Sequence, residues 1–330
     1  MKEFQNRIDN EIETLTAEFS IPPLELYEPI RYTLSLGGKR IRPLFVLMGC
    51  DLFGGEIENA ILPAIAIELF HNFTLVHDDI MDKAPLRRNQ PTVHKKWNTA
   101  TAILSGDVML VKAFSLISKT PVSEKILPLI TETFLSTATQ VCEGQQWDLN
   151  YEQLDKISIS QYLKMIELKT AVLMAASMKI GSLVGGANSE DAKHIYEFGK
   201  NTGIAFQLQD DLLDIYGEKE KFGKQKGGDI ISNKKTFLLL KAIELSGINP
   251  YKKEELSQWL YFHPKNEKES QEKVEAVKNI YDFVDIKKIT MNEIESFHQK
   301  AIASLKRVEA SEEKKKQLLN FTSSLLQRES

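Results

Sequence analysis

The sequence predicts an all-α fold built as a helical bundle, on three observations. Apolar residues recur at helical spacing over most of the chain. Alternating runs of β-branched residues are nearly absent. Proline and glycine are sparse, and they mark punctuation points at Pro22-Pro23, Gly37-Gly38, Gly54-Gly55, Pro121, Gly185-Gly186 and Gly223 to Gly228. The segments between these points have helical length. No low-complexity linker or change of composition divides the 330 residues, so residues 1–330 are expected to form a single domain.

Three helices carry the argument. One is expected to start near Pro63, a good first-turn residue, and to run through Ile65, Leu69, Phe73 and Val76 to about Asp82. A second covers about Ser158 to Ile180, with Ser158 or Ser160 as caps. A third runs from a cap at Ser189 to about Tyr216, where Gly217 is placed to end it. From about Lys253 the chain is rich in Glu and Lys and reads as charged surface helices.

Two of these helices end in the same pattern. DDIMD places Asp78, Asp79 and Asp82 near the end of the first, and DDLLD places Asp210, Asp211 and Asp214 near the end of the third. Residues four apart on a helix are neighbours, so Asp78 faces Asp82 and Asp210 faces Asp214. Like charges at that spacing repel, and apolar neighbours make the repulsion worse. A bound cation removes the conflict. All-oxygen ligands suit Mg²⁺ rather than Zn²⁺, and Mg²⁺ is commonly held by one or two carboxylates together with substrate phosphates. Two such clusters therefore point to a phosphate-bearing substrate.

Basic groups accompany the acids. GGKRIRP supplies Lys39, Arg40 and Arg42 after a Gly-Gly break, and PLRRNQPTVH supplies Arg87 and Arg88 just past the first acidic cluster. Arginine forks match phosphate oxygens. His71 lies seven residues before Asp78, close to the same helical face, and Gln207 three before Asp210. Lys169-Thr170 falls within the second helix, and Lys224 and Lys234 flank a Gly-rich stretch. The spacing of a P-loop is not met.

Other classes lose ground. A net charge of -4 argues against a nucleic-acid partner. Cys50 and Cys142 form no metal or disulfide pattern and are expected in the core. The charged N-terminus lacks the apolar stretch of a signal peptide, and no run of about 18 uninterrupted apolar residues reads as a membrane span. A cytoplasmic protein is expected.

In order, GGKRIRP (37–43), HNFTLVHDDIMD (71–82), PLRRNQPTVH (85–94), SGD (105–107), Lys169-Thr170, FQLQDDLLD (206–214), and GKQKGGD (223–229) followed by Lys234 resemble the trans-isoprenyl diphosphate synthases, the polyprenyl synthetase family. One DDxxD is weak evidence, but the ordered set is specific. The resemblance implies an isoprenoid synthase-type bundle around a deep central cavity, usually a homodimer. It implies that Asp78, Asp82, Asp210 and Asp214 hold a Mg²⁺ cluster on an allylic diphosphate. Arg87, Lys169, Lys224 and Lys234 would contact that diphosphate, with Thr170 and Gln207 near the reacting carbons. Lys39, Arg42, His71 and Arg88 would hold isopentenyl diphosphate. The family often has Gly where this chain has Asn89 and Asn233, a change that a left-handed turn tolerates.

The resemblance also bears on product length. A bulky residue about one turn before the first acidic motif would act as a floor to the growing chain, which marks Phe73, with Thr74 beside it and Phe70 one turn deeper. One aromatic residue there and no insertion in the motif look more like a geranylgeranyl (C20) than a farnesyl (C15) diphosphate synthase. A class I terpene cyclase would leave Lys39, Arg42 and Arg88 without a role. A non-catalytic partner subunit would not be expected to keep both acidic motifs whole.

Overall fold

The structure, a computed structural model, describes residues 2–217, 227–247 and 249–327. The helices in order are α1 (Lys2–Glu18), α2 (Leu24–Ser35), α3 (Ile41–Leu52), α4 (Ile57–Met81), α5 (Val93–Lys96), α6 (Thr99–Ser118), α7 (Leu127–Gln153) and α8 (Ile159–Ile166). A π-helical segment, Glu167–Ala171, leads into α9 (Val172–Val184), followed by α10 (Ser189–Tyr216), α11 (Gly228–Ile231), α12 (Phe237–Ser246), α13 (Pro250–Tyr261), α14 (Glu267–Phe283), α15 (Ile286–Lys306) and α16 (Glu312–Leu326). Among the described residues the only sheet is a two-residue pair, β1 (Leu86–Arg87) with β2 (Gln90–Pro91). The all-α expectation holds.

Contacts divide the chain into two compact units, the first from residues 1–138, 173–199 and 307–318, the second from 139–172, 200–306 and 319–330. In the first unit α4 is the central helix. It packs on α3 and α6 and buries residues on most sides, from Ala60 to Asp79. The core of the second unit gathers Tyr162 and Met165 from α8, Leu208, Leu212 and Ile215 from α10, Phe237 to Leu240 from α12, and Val277, Ile280 and Tyr281 from α14.

Several expectations need correction. The helix of the first acidic motif starts at Ile57, so Pro63 lies inside it rather than in its first turn. The segment 158–180 is not one regular helix: α8, opened by a Ser158 capping box with Gln161, passes into the π-helical segment before α9 begins. α10 is capped by Asn188, whose side-chain oxygen accepts from Asp191 N at 2.9 Å, and not by Ser189. Cys50 is buried but Cys142 is exposed. The C-terminal helices are not mere surface, because Leu256, Val277, Ile280 and Tyr281 are core. α4 and α6 are both long and apolar enough by composition to cross a membrane, although neither is an uninterrupted apolar run. α4 meets that criterion as the buried core helix, with 72% of its apolar window inside the protein. α6 is only 33% buried and exposes Ile103, Leu104, Val111 and Phe114.

Candidate active site

In the first unit the site is built at the carboxyl end of α4. The helix ends at Met81 and Asp82 is its C-cap, so DDIMD occupies the last turn. A helix C-terminus carries a partial negative charge, and carboxylates there add to it. Asp78 is half-buried and Asp82 exposed, while Asp79, about 100° further round, is buried. Asp79 is not a bare anion. Arg87 Nε donates to its two oxygens at 3.0 and 2.9 Å, and Arg87 Nη2 donates to Oδ1 at 2.7 Å.

Arg87 reaches back because the chain folds over itself just past α4. Leu86 pairs with Pro91 and Arg87 with Gln90, leaving Arg88 and Asn89 as a two-residue turn with φ of 53° and 62°. Positive φ at both turn residues is the type I′ signature, which Asn suits well. The hairpin thereby divides the arginine pair. Arg87 is held on Asp79, whereas Arg88 donates through Nη1 to the carbonyl of Gly37. A Cβ at Gly38 would sit 2.8 Å from Arg88 Nη2, so the second glycine of the Gly-Gly pair makes room for that guanidinium.

Around Arg88 lies the rest of the basic group. Arg42 Nη1 is 3.2 Å from His71 Nε2. Burial, then Arg42 and the neighbouring Arg88, Arg87 and Arg40, hold the His71 imidazole well below its usual value, so it is neutral at pH 7. A neutral ring accepting from Arg42 at Nε2 keeps its proton on Nδ1, where it is a donor. Lys39 is exposed in the same loop. Arg40, which the sequence groups with the phosphate donors, is buried instead. Its Nη1 donates to Glu68 Oε1 at 2.5 Å and its Nη2 to Leu34 O at 2.8 Å, and Asn72 donates to the same Glu68 oxygen at 3.1 Å. Arg40 therefore anchors the turn that carries Lys39 into α3, whose first turn bears Arg42.

Deeper along α4, Phe70 and Phe73 are 1% and 8% exposed, with ring centroids 5.6 Å apart. Phe73 also stacks edge-on against His77 at 4.7 Å, and Phe70 against Phe134 of α7 at 5.5 Å. The Thr74 hydroxyl is turned back onto His71 O at 2.8 Å.

In the second unit DDLLD again lies in the last turns of a long helix, α10. Asp210 and Asp214 are half-buried and Asp211 is buried. Tyr162 donates to Asp211 Oδ2, and Gln207 Nε2 donates to Oδ1 at 2.9 Å. Thr170 in turn donates to Gln207 Oε1 at 3.1 Å. Burial first, then the Asp229 charge, pushes the Asp211 carboxyl up to about 7 against the opposing pull of Lys234 and the two hydrogen bonds. Asp214 Oδ2 accepts from Asp229 N at 3.1 Å, which ties the α11 turn to the motif.

Lys169 and Thr170 sit in the π-helical segment, a deformation frequent at functional sites. α7 crosses so closely that a Cβ at Gly144 would lie 2.3 Å from Lys169 N. Lys169 Nζ is paired with Asp148 at 2.6 Å. Lys234 is exposed, and Lys224 lies outside the described residues. Sequence reasoning missed Glu68, Asp148 and Tyr162. The only hint for Asp148 was the glycine in EGQQWD, within an otherwise regular helix.

Among the described residues no three His, Cys, Asp or Glu side chains converge closely enough to hold a metal ion unaided. The donor set nevertheless fits Mg²⁺, which takes carboxylate oxygens and completes its shell with water and substrate phosphate.

The polyprenyl synthetase model matches residues 23–280. The chain belongs to the polyprenyl synthetase family. It is 44% identical over 223 residues to the geranylgeranyl diphosphate synthase of Methanosarcina mazei, which covers 67% of this chain and 68% of that protein. It is 37% identical over 237 residues to the geranylfarnesyl diphosphate synthase of Natronomonas pharaonis, covering 67% and 69%. A crystal structure of a geranylgeranyl pyrophosphate synthase superposes with a TM-score of 0.93 at 41% identity, covering 100% of this chain and 99% of that one.

Proposed function

We propose that this family member condenses isopentenyl diphosphate with allylic diphosphates to give geranylgeranyl diphosphate, releasing diphosphate at each step. The observation that carries the reading is the arginine hairpin after α4. It holds one guanidinium at an acidic helix end suited to a metal-bound diphosphate. It holds the next in a basic cluster with Arg42 and His71 suited to a second, metal-free diphosphate. An enzyme that only ionised one substrate would need no second anion site.

Asp78, Asp82, Asp210 and Asp214 would hold Mg²⁺, which when bound neutralises the leaving diphosphate. Arg87, Lys169, Lys224 and Lys234 are assigned to the allylic diphosphate. They would meet the charge that grows as the allylic C–O bond breaks, and Arg87 and Lys169, already held by Asp79 and Asp148, would need little reorganisation at that moment. The Thr170 and Gln207 dipoles face the reacting carbons. Lys39, Arg42, Arg88 and the Nδ1–H of His71 orient isopentenyl diphosphate so that its double bond attacks the allylic cation. A proton is then lost, with the departing diphosphate as the base. Apolar walls exclude the water that would quench the cation.

The two compact units would act as one catalytic domain. The apolar stripe of α6 (Ile103, Leu104, Val111, Phe114) would be covered in a homodimer, since exposed apolar patches of this kind mark interfaces. The enzyme would work in the cytoplasm. The deciding assay is diphosphate release from an allylic diphosphate with and without isopentenyl diphosphate, with Mg²⁺ and with excess chelator. Release that needs both isopentenyl diphosphate and Mg²⁺ supports the reading, and release without isopentenyl diphosphate sinks it. Sedimentation at the 37.5 kDa of one chain would contradict the dimer.

A further inference from the structure

Lys273 on α14 is fully buried, and its ammonium is spent on two segments of the chain, the turn after α11 and the end of α13. Nζ donates to Asn233 Oδ1 at 2.7 Å, to Phe262 O at 2.9 Å and to Ile231 O at 3.4 Å. Its acceptors are neutral oxygens, so burial lowers its affinity for the proton. Burying an ammonium on such partners is costly, and the group it secures is specific. Asn233 stands at φ 55°, and its amide bridges two structures, with Nδ2 donating to Leu260 O at 2.8 Å while Oδ1 accepts from Lys273. The next residue is Lys234, whose backbone N donates to Asp229 O at 2.9 Å. Its charge bears on the Asp211 carboxyl of the second acidic motif.

Glycine at position 233 would adopt the left-handed turn without strain but would offer no side chain to hold. Here asparagine takes the same backbone conformation and converts the turn into a tethered one. Ile231 O, Asn233 Oδ1 and Phe262 O converge on a single ammonium, so α11 and the end of α13 are tied to α14 immediately before Lys234. We infer that Lys273 and Asn233 form a positioning clamp that fixes the direction of Lys234 toward the allylic diphosphate. Neither residue touches substrate; both act through Lys234. The inference rests on the prenyltransferase reading above.

Kinetics on the full-length enzyme with each substrate varied test the clamp. Lys273→Met should raise the KM for the allylic diphosphate by about tenfold, the loss expected for one charge-assisted hydrogen bond, and leave that for isopentenyl diphosphate unchanged. Lys234→Ala should show the same split. Adding Lys273→Met to Lys234→Ala should change the allylic KM by less than about twofold, because residues acting through one group are not additive. Additive losses, or equal rises in both KM values, would overturn the clamp and leave Lys273 a purely structural residue. Should Lys273→Met not accumulate folded, Asn233→Gly removes the acceptor while suiting the turn, and must give the same split; unchanged kinetics there would also overturn it. Wild-type enzyme that fails to condense the two diphosphates would instead bring down the underlying reading.

Discussion

Replacing Phe73 by alanine should lengthen the product by one isoprene unit. Phe73 lies five residues before Asp78 on α4, and the next ring along the helix, Phe70, is 5.6 Å away by centroid. That spacing is close to one helical turn, about 5.4 Å, and close to the reach of one five-carbon unit. With Phe73 as the proposed floor, removing its ring would lower that floor by one unit and no more, because Phe70 is 1% exposed and braced edge-on by Phe134 at 5.5 Å. The main product should move from C20 to C25, and Phe70→Ala added to it should lengthen the product again. The substitution also strips the ring that stacks on His77 at 4.7 Å, and a large-to-small change at such a site costs about 3–5 kcal/mol. Folded fraction must therefore be checked by circular dichroism first. Products are dephosphorylated and separated by chain length. An unchanged distribution from folded Phe73→Ala enzyme would refute Phe73 as the floor.

Other outcomes follow from titration and exposure. The His71 imidazole is held neutral, so below its ordinary value of about 6.5 the unfolded chain binds a proton that the folded one refuses; stability is full above that pH and falls as pH drops toward the lowered folded value. Urea melts of wild type and His71→Gln between pH 7.5 and 5 should diverge in that direction, and parallel curves would contradict it. The Cys50 thiol is pushed up to about 11, chiefly by burial and then by Asp51, whereas Cys142 is exposed. A thiol-reactive dye at pH 8 should label Cys142 alone until the protein is unfolded, and early labelling in Cys142→Ser would show that Cys50 is accessible.

The fold class, the ends of α4 and α10 and the two acidic motifs were legible because each is local. Periodicity, a glycine after Tyr216 and a four-residue repeat of carboxylates need only the neighbouring chain. What escaped depends on distant partners. Arg40 looks like its neighbours Lys39 and Arg42 in sequence, and only Glu68, 28 residues away, assigns it to the core. Lys273 reads as one more surface lysine in a charged helix until Asn233, 40 residues distant, is seen to accept its hydrogen bond. The π-helical segment was missed for a related reason: ELKTA has ordinary helix propensity, and the close crossing at Gly144 is set by packing rather than by local preference.

The two acidic motifs share a division of labour that the pattern DDxxD does not announce. In each, the middle aspartate is buried to the same 4% exposure, while the flanking pair faces outward. The cause is helical geometry: positions four apart lie about 40° apart around the axis, and the second aspartate lies about 100° from the first and about 60° from the last, toward the core. Buried there, each middle carboxylate needs donors, and it takes them from residues assigned to substrate. Asp79 takes Arg87, and Asp211 takes Gln207, with Tyr162 completing its shell. Asp211 in its ionised form only accepts, so it turns the Gln207 amide nitrogen toward itself and leaves the carbonyl for Thr170. The middle residues thus aim side chains, while the outer ones would be left for the proposed metal. Asp79→Asn should leave the Mg²⁺ midpoint of activity in place and raise the allylic KM by roughly 10- to 150-fold, the worth of a lost charge-assisted hydrogen bond at about 1.5–3 kcal/mol. Asp211→Asn would let Gln207 flip and, on its proposed role beside the allylic cation, should lower kcat instead. Asp78→Asn and Asp82→Asn should shift the Mg²⁺ midpoint itself. Magnesium titrations of the four variants decide the matter: a midpoint displaced as far in Asp79→Asn as in Asp78→Asn would make all three carboxylates ligands and end the distinction.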